Sequence, residues 1–295
     1  MNGSPVMAGT IVCKYFFSPL SDEIIDALVE IDMPIGLVAT VSQVGLHWPG
    51  YTGFSGPSLR KRVEGTKLKL FRDHLGRSGE DVFVAAQADS DNGWTGVHLH
   101  TWADTDLASR LLSAFPNLEW EIGPGEDRPT DELSMLRFFT GLPKAPNLKW
   151  LSFPTGCKIV EGMSNTNKVV WDRLRRMQDF GVPLRAHNCD YLWAKTLKSF
   201  IGEVQGINVA PALGVVQTLT TLRYAIELGV DVTNWQDRVM RAGHWKKWAS
   251  DSARALIVTG HYCFDQIPSE LRHVVRPRVI EAVKQAAMHY IGSFV

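Results

Sequence analysis

Three short segments concentrate the side chains that could move a proton or hold a metal. Asp73-His74 sets a carboxylate beside an imidazole, His98 and His100 stand two apart, and His187-Asn188 is followed by Asp190. Glu121 precedes the run Gly123-Pro124-Gly125-Glu126-Asp127, and Asn208 lies further along. Imidazole and carboxylate are the natural ligands of zinc and similar divalent ions, which need three or four such groups converging on one point. A carboxylate beside a metal-bound histidine is placed for general-base work. Each group also has a local reading. A histidine at a strand end is commonly satisfied by hydrogen bonds, and an Arg, Asp or water partner would satisfy His98 and His100 without a metal. His47, His244 and His261 are weaker candidates for the same site.

These groups need a scaffold that gathers them. Eight apolar or β-branched runs predict strands at Ile11–Phe16, Gly36–Val41, Lys67–Phe71, Gly96–Thr101, Leu118–Ile122, Lys149–Phe153, Val182–Ala186 and Val204–Val209. Amphipathic stretches fall between them. SDEIIDALVEI has a capping-box-like start, and TDLASRLLSAF, TDELSMLRFFTGL, TNKVVWDRLRRMQDFG, AKTLKSFIG and TLTTLRYAIELG keep helical spacing. Strand and helix in alternation imply parallel βαβ units. Eight of them predict an α/β (β/α)8 TIM barrel, one domain over 1–295, with the barrel in 1–229 and C-terminal helices packed on it in 230–295. The polar segments then fall at the C-terminal ends of strands, which a barrel brings into one small circle. The Gly/Pro-rich stretch 45–58 reads as a long loop, of the kind that carries function after a barrel strand. The tail tryptophans Trp235, Trp245 and Trp248 read as core.

The bulk numbers fit this class. The chain has 295 residues, 45% hydrophobic and 21% charged, with no net formal charge, which gives no argument for nucleic acid or an anionic membrane as partner. The N-terminus MNGSPVMAGT has no basic region followed by an apolar stretch, so no signal peptide is expected, and no apolar run is long enough for a transmembrane helix. Cys13, Cys157, Cys189 and Cys263 are too scattered for a zinc knuckle or a disulfide framework. A cytoplasmic location is the expectation.

Five segments resemble one known family. They are Ala39-Thr40-Val41-Ser42-Gln43-Val44 with Pro49-Gly50-Tyr51-Thr52-Gly53, Asp73-His74-Leu75-Gly76, Val97-His98-Leu99, His187-Asn188-Cys189-Asp190-Tyr191-Leu192, and Asn208-Val209-Ala210-Pro211. In order and spacing they resemble the accessory (Z-type) subunits of class II D-tagatose-bisphosphate aldolases, a family that includes tagaturonate-epimerase-like enzymes. It is similar to the catalytic class II aldolases, which are zinc-dependent barrels. The resemblance implies a proton-transferring role for Asp73, metal ligation by His74 and His187, and substrate contact by Asn208. It also relates Glu121 to a glutamate-containing aldolase segment, so that Glu121 is expected as a second catalytic carboxylate or as a ligand, with His98 as a further ligand. Gln43, Tyr51, Thr52, His100, Asn188 and Asp190 are expected on the substrate side. Two positions depart from the aldolase pattern. Phe153-Pro154-Thr155-Gly156-Cys157 carries no sixth-strand histidine, so Cys157, Glu121 or His98 would substitute, and Pro211 stands where aldolases have a phosphate-binding threonine.

Three functions follow. The first is a metal-dependent aldolase or epimerase, with zinc the expected ion, acting on a ketose, sugar phosphate or sugar acid through an enediolate. The second is a non-catalytic subunit that stabilises an aldolase chain; the third is a sugar-binding barrel without chemistry. A homo-oligomer or an aldolase partner chain is compatible with the first two.

Overall fold

The computed structural model describes residues 15–17, 21–33, 35–39, 61–75, 80–91, 94–100, 105–123 and 132–294, with the backbone alone at 15–16, 39, 69–75, 80–81, 100, 132 and 134. Eight parallel strands close into a barrel. They are β1 (Tyr15–Phe17), β2 (Ile35–Ala39), β3 (Leu68–Leu75), β4 (Gly96–His100), β5 (Glu119–Gly123), β6 (Leu148–Phe153), β9 (Leu184–Ala186) and β10 (Gly206–Val209). A two-stranded hairpin, β7 (Ile159–Val160) and β8 (Ser164–Asn165), follows β6 outside the barrel. Around the barrel run β1-β10-β9-β6-β5-β4-β3-β2, and the ring closes where β1 pairs with both β10 and β2.

All eight expected strands are present, with ends displaced by a few residues. The displacement that matters is in β3. It runs on to Leu75, because Ala39 pairs with Asp73 on one side while Asp73, His74 and Leu75 pair with Val97, His98 and Leu99 on the other. Asp73 and His74 therefore lie inside the strand rather than just past it. Residues 11–14 of the expected first strand lie outside the described residues.

Around the barrel lie α1 (Asp22–Val29), α2 (Glu80–Asp91), α3 (Thr105–Ala114), α4 (Glu132–Gly141), α5 (Trp171–Gln178), α6 (Ala194–Ser199) and α7 (Pro211–Leu228). Local sequence explains several ends. The Ser21 hydroxyl caps α1 by accepting from the Ile24 N–H at 3.3 Å, with Asp22 and Glu23 in the first turn where the helix dipole favours them. At the other end of the chain α7 begins on Pro211, where the missing N–H costs nothing, and stops at Gly229, whose φ of 66° suits glycine. Helix α7 starts seven residues before the stretch that carries its periodicity. Helix α5 is shorter than expected because residues 166–170 bond back to the segment after β6, Thr166 N–H to the Lys158 carbonyl at 3.0 Å and Val170 N–H to the Thr155 carbonyl at 2.8 Å, with Asn167 at φ 51°.

Strand alternation divides the residues between two environments. Val97, Leu99, Trp120, Ile122, Leu151, Phe153, Leu184, Ala186, Ile207 and Val209 belong to the apolar layer between sheet and helices. Their neighbours His98, Glu121, Ser152, Arg185 and Asn208 are buried polar groups, and they point into the lumen.

The C-terminal part comprises α8 (Thr233–Ala242), α9 (Ala255–Thr259), short 3-10 turns, and α10 (Ser269–Phe294). A second core of Trp235, Val239, Ala255, Cys263, Phe264 and Ile267 holds it together, with the Trp235 indole N–H donating to the Gly260 carbonyl at 3.0 Å. Helix α10 lies along α7, α1 and α6 on the outside of the barrel. Its Arg272 and Arg276 close on Glu23 of α1, at 2.8 and 3.0 Å, though Glu23 is only 1% exposed. The segment before α10 reaches the strand-end face, where Val258 and Trp248 pack on Gly162 of the hairpin. Among the described residues no helix is long and apolar enough to cross a membrane.

Candidate functional site

Four buried polar side chains meet in the lumen. His98, Glu121 and Arg185 have no exposure and His187 has 6%. β4 and β9 are separated around the ring by β5 and β6, so a contact between His98 and Arg185 must cross the interior. The Arg185 Nη2 lies 3.1 Å from Nδ1 and 3.3 Å from Nε2 of His98, and it forms an ion pair with Oε1 of Glu121. That same Oε1 is 3.4 Å from the His98 Nε2. The His187 ring stacks at a tilt on His98, with centroids 5.5 Å apart. The result is one carboxylate and one guanidinium, each cancelling the other's charge away from water, with two imidazoles alongside.

Register explains the convergence. His98 pairs with Glu121 across β4 and β5, and Ser152 and Gly206 flank Arg185 across β6 and β10. His74 is the register partner of His98, Asp73 of Val97, and His100 of Gly123. The side chains of Asp73, His74 and His100 lie outside the described residues, as do Gln43, His47, Tyr51, Thr52, Glu126, Asp127 and the whole loop 45–58.

Among the described residues, the segments after β9 and β10 contribute to the rim. Asn208 points inward, 6% exposed, and its Oδ1 has no hydrogen-bond partner. Asn188 is half-buried in the left-handed region at φ 56°, and its carbonyl accepts from Asn165 Nδ2 at 2.8 Å. Asp190, 1% exposed, accepts from the backbone N–H groups of Ala210 and Ala212 at 2.9 Å each. It thereby caps α7, whose own Ala210 offers no side-chain cap. Cys157 is buried beside Thr155, and burial pushes its thiol above the ordinary range. His261 is buried against Gly214 of α7 and Tyr262, and neither ring nitrogen has a partner.

Among the described residues no three His, Cys, Asp or Glu groups are arranged to hold a metal ion. The donor atoms of Glu121 and His98 are engaged by Arg185, and a second cation beside that guanidinium would be repelled. The His187 ring lies against His98, and the backbone of His74 is the register partner of His98. Sequence reasoning missed Arg185. The signal was available: a lone arginine at an inward position of the otherwise apolar run Val182–Ala186 must have a buried anion to face.

No protein-family model matches the chain, and no curated protein matches it. Solved structures do. A probable tagatose 6 phosphate kinase from Sinorhizobium meliloti 1021 superposes with a TM-score of 0.65 at 18% identity, over 95% of this chain and 100% of that one. The YdjI aldolase from Escherichia coli K12 gives 0.62 at 16% identity, over 96% and 91%. The fructuronate-tagaturonate epimerase UxaE from Cohnella laeviribosi gives 0.60 at 11% identity, over 96% and 81%. At these identities the likeness is one of fold.

Proposed function

We propose that the lumen and rim at the C-terminal ends of the strands form a carbohydrate-active site that performs aldol cleavage or epimerisation through an enediolate. The observation that carries the reading is the buried polar cluster His98–Glu121–Arg185–His187, with Asn208 beside it, in the lumen of a barrel whose hydrophobic needs are met elsewhere. Polar groups at that depth are costly unless they serve a purpose, and barrels of this class place their chemistry at this end. The barrels it resembles include one named as an aldolase and one as an epimerase, which supports the reading without deciding between them.

In this reading His74 and His187 hold a divalent ion, zinc in the first instance. When bound, such an ion polarises a substrate carbonyl and stabilises the enediolate. Asp73 moves the proton at the carbon next to that carbonyl, and Asn208 orients a substrate hydroxyl. Arg185 and Glu121 lie deeper, where they hold His98 in place under the His187 ring rather than exchanging protons with substrate. Metal analysis of the purified protein tests the proposal, together with turnover assays on ketoses, hexuronates and their phosphates. We expect about one bound divalent ion per chain and metal-dependent cleavage or epimerisation of one of these compounds. A metal-free protein inert to all of them, yet binding a class II aldolase chain, would favour a non-catalytic partner role, which the absence of a histidine in Phe153–Cys157 already permits.

A further inference from the structure

We infer that the sugar taken by this site carries no phosphate ester. The inference deepens the reading above and rests on it. In (β/α)8 barrels a phosphate is commonly held by main-chain N–H groups after the seventh and eighth strands and by a helix N-terminus there. In this chain five of those donors are spent within the protein. After β9 the Cys189 N–H donates to the Asn208 carbonyl at 3.1 Å, the Tyr191 N–H to the Tyr290 hydroxyl at 3.0 Å, and the Leu192 N–H to the Cys189 carbonyl at 3.4 Å. After β10 the Ala210 and Ala212 N–H groups both go to Oδ1 of Asp190, and Pro211 between them has no N–H to offer.

Asp190 is the resident anion of the α7 N-terminus. At 1% exposure it cannot swing into solvent, and its backbone carbonyl is pinned by Asn165 Nδ2 at 2.8 Å. A phosphate dianion arriving here would meet a buried carboxylate of the same sign, with the Ala210 and Ala212 donors already taken. Among the described residues there stands instead the Asn208 Oδ1, an uncharged buried acceptor without a partner. An acceptor of that kind is satisfied by a hydroxyl donor, and leaving it unsatisfied in a complex is unfavourable. Hydroxyl-rich, unphosphorylated ketoses and hexuronates supply that donor.

The test is calorimetric titration of the full-length protein with D-fructose, D-tagatose, free hexuronates, the 1-phosphates, 6-phosphates and bisphosphates of the same ketoses, and inorganic phosphate alone. We expect at least one unphosphorylated compound to bind, its phosphate esters to bind roughly tenfold more weakly or worse, and inorganic phosphate to give no heat. Asp190→Ala frees two N–H groups and should gain phosphate binding, whereas Asp190→Asn, which retains an acceptor oxygen, should not. Should Asp190→Ala fail to fold, the wild-type titrations decide alone. Esters that bind more tightly than their parent sugars would overturn this inference and leave the sugar reading standing. Binding of neither class would overturn both.

Discussion

Glu121 and Arg185 cancel one another's charge where no water reaches either. Taking both ions out of water costs several kcal/mol, which their attraction and hydrogen bonds offset only while both are present. Glu121→Gln therefore removes the carboxylate charge that faces the buried Arg185 guanidinium and should destabilise the fold by about 3–5 kcal/mol. The double substitution Glu121→Leu with Arg185→Met should recover most of that loss, as read by chemical denaturation. A double variant no more stable than the single would show that packing, not charge, dominates there. On the proposed function, metal binding and proton transfer fall to other residues at this scale. Asp73→Asn should keep the metal and lose turnover by roughly 10²-fold or more, while His74→Ala should lose the metal itself, as measured by metal content after dialysis. Full activity in Asp73→Asn would move the base elsewhere. The lumen residues His98, Glu121 and His187 were legible as types, since imidazoles and a carboxylate stand out in strand segments. Their partnerships were not, because Glu121 and Arg185 meet only through the closure of the barrel. Asp190 illustrates the limit: its segment reads as substrate-facing, yet its Oδ1 is committed to backbone donors at Ala210 and Ala212.

Elements were more legible than contacts. The eight strands announced themselves as short β-branched or apolar runs, since strands covered by helices need nearly continuous apolar residues. The continuation of β3 through Arg72-Asp73-His74 was hidden because a run of charged residues after an apolar stretch looks like a strand end. Helix α2 was not singled out either; its buried Val82, Ala85, Ala86 and Asp89 make a thin and partly polar stripe. The least legible feature is the joint between α7 and the 3-10 turn Gly260–Gln266, where His261 lies on Gly214. A Cβ at Gly214 would stand 2.4 Å from the imidazole. Gly214→Ala should thus cost about 1–3 kcal/mol by overpacking, and pairing it with His261→Ala should relieve the clash; thermal denaturation of the single and double variants checks this. The same joint is acid-sensitive. Burial pushes the His261 imidazole from 6.5 down to about 3, so the unfolded chain takes up a proton near pH 6.5 that the folded chain refuses until about pH 3. Stability should fall as pH is lowered through that window, by up to about 1.4 kcal/mol per unit from this group. His261→Leu should flatten the slope between those pH values; an unchanged slope would place the acid sensitivity elsewhere.

At the scale of the whole molecule, α1 and α10 are tied. Burial raises the Glu23 carboxyl, but the hydrogen bonds and charges of Arg272 and Arg276 outweigh it and hold the group below its ordinary value. Its contribution is therefore present at neutral pH and lost as acid protonates it. Glu23→Gln should lower stability by about 2–4 kcal/mol, within the range for breaking one partner out of a buried pair, and hydrogen exchange should show α10 opening more readily than α7. Equal protection in both helices would mean that the apolar face of α10 holds it without the ions.

This tie has a consequence for how the protein is made. The ionic partners of Glu23 lie 249 and 253 residues further along the chain, and β1 waits for β10 to cover its second edge. At translation speeds of about 5–20 residues per second, β1 and α1 leave the ribosome roughly 10–50 s before the groups that complete them. For that interval the nascent chain carries one open strand edge and one carboxylate whose partners do not yet exist. The barrel cannot close progressively from its beginning. It closes last at its seam, so the time spent on the ribosome, more than the strength of any single contact, sets how long the half-built sheet must be kept from pairing with its neighbours.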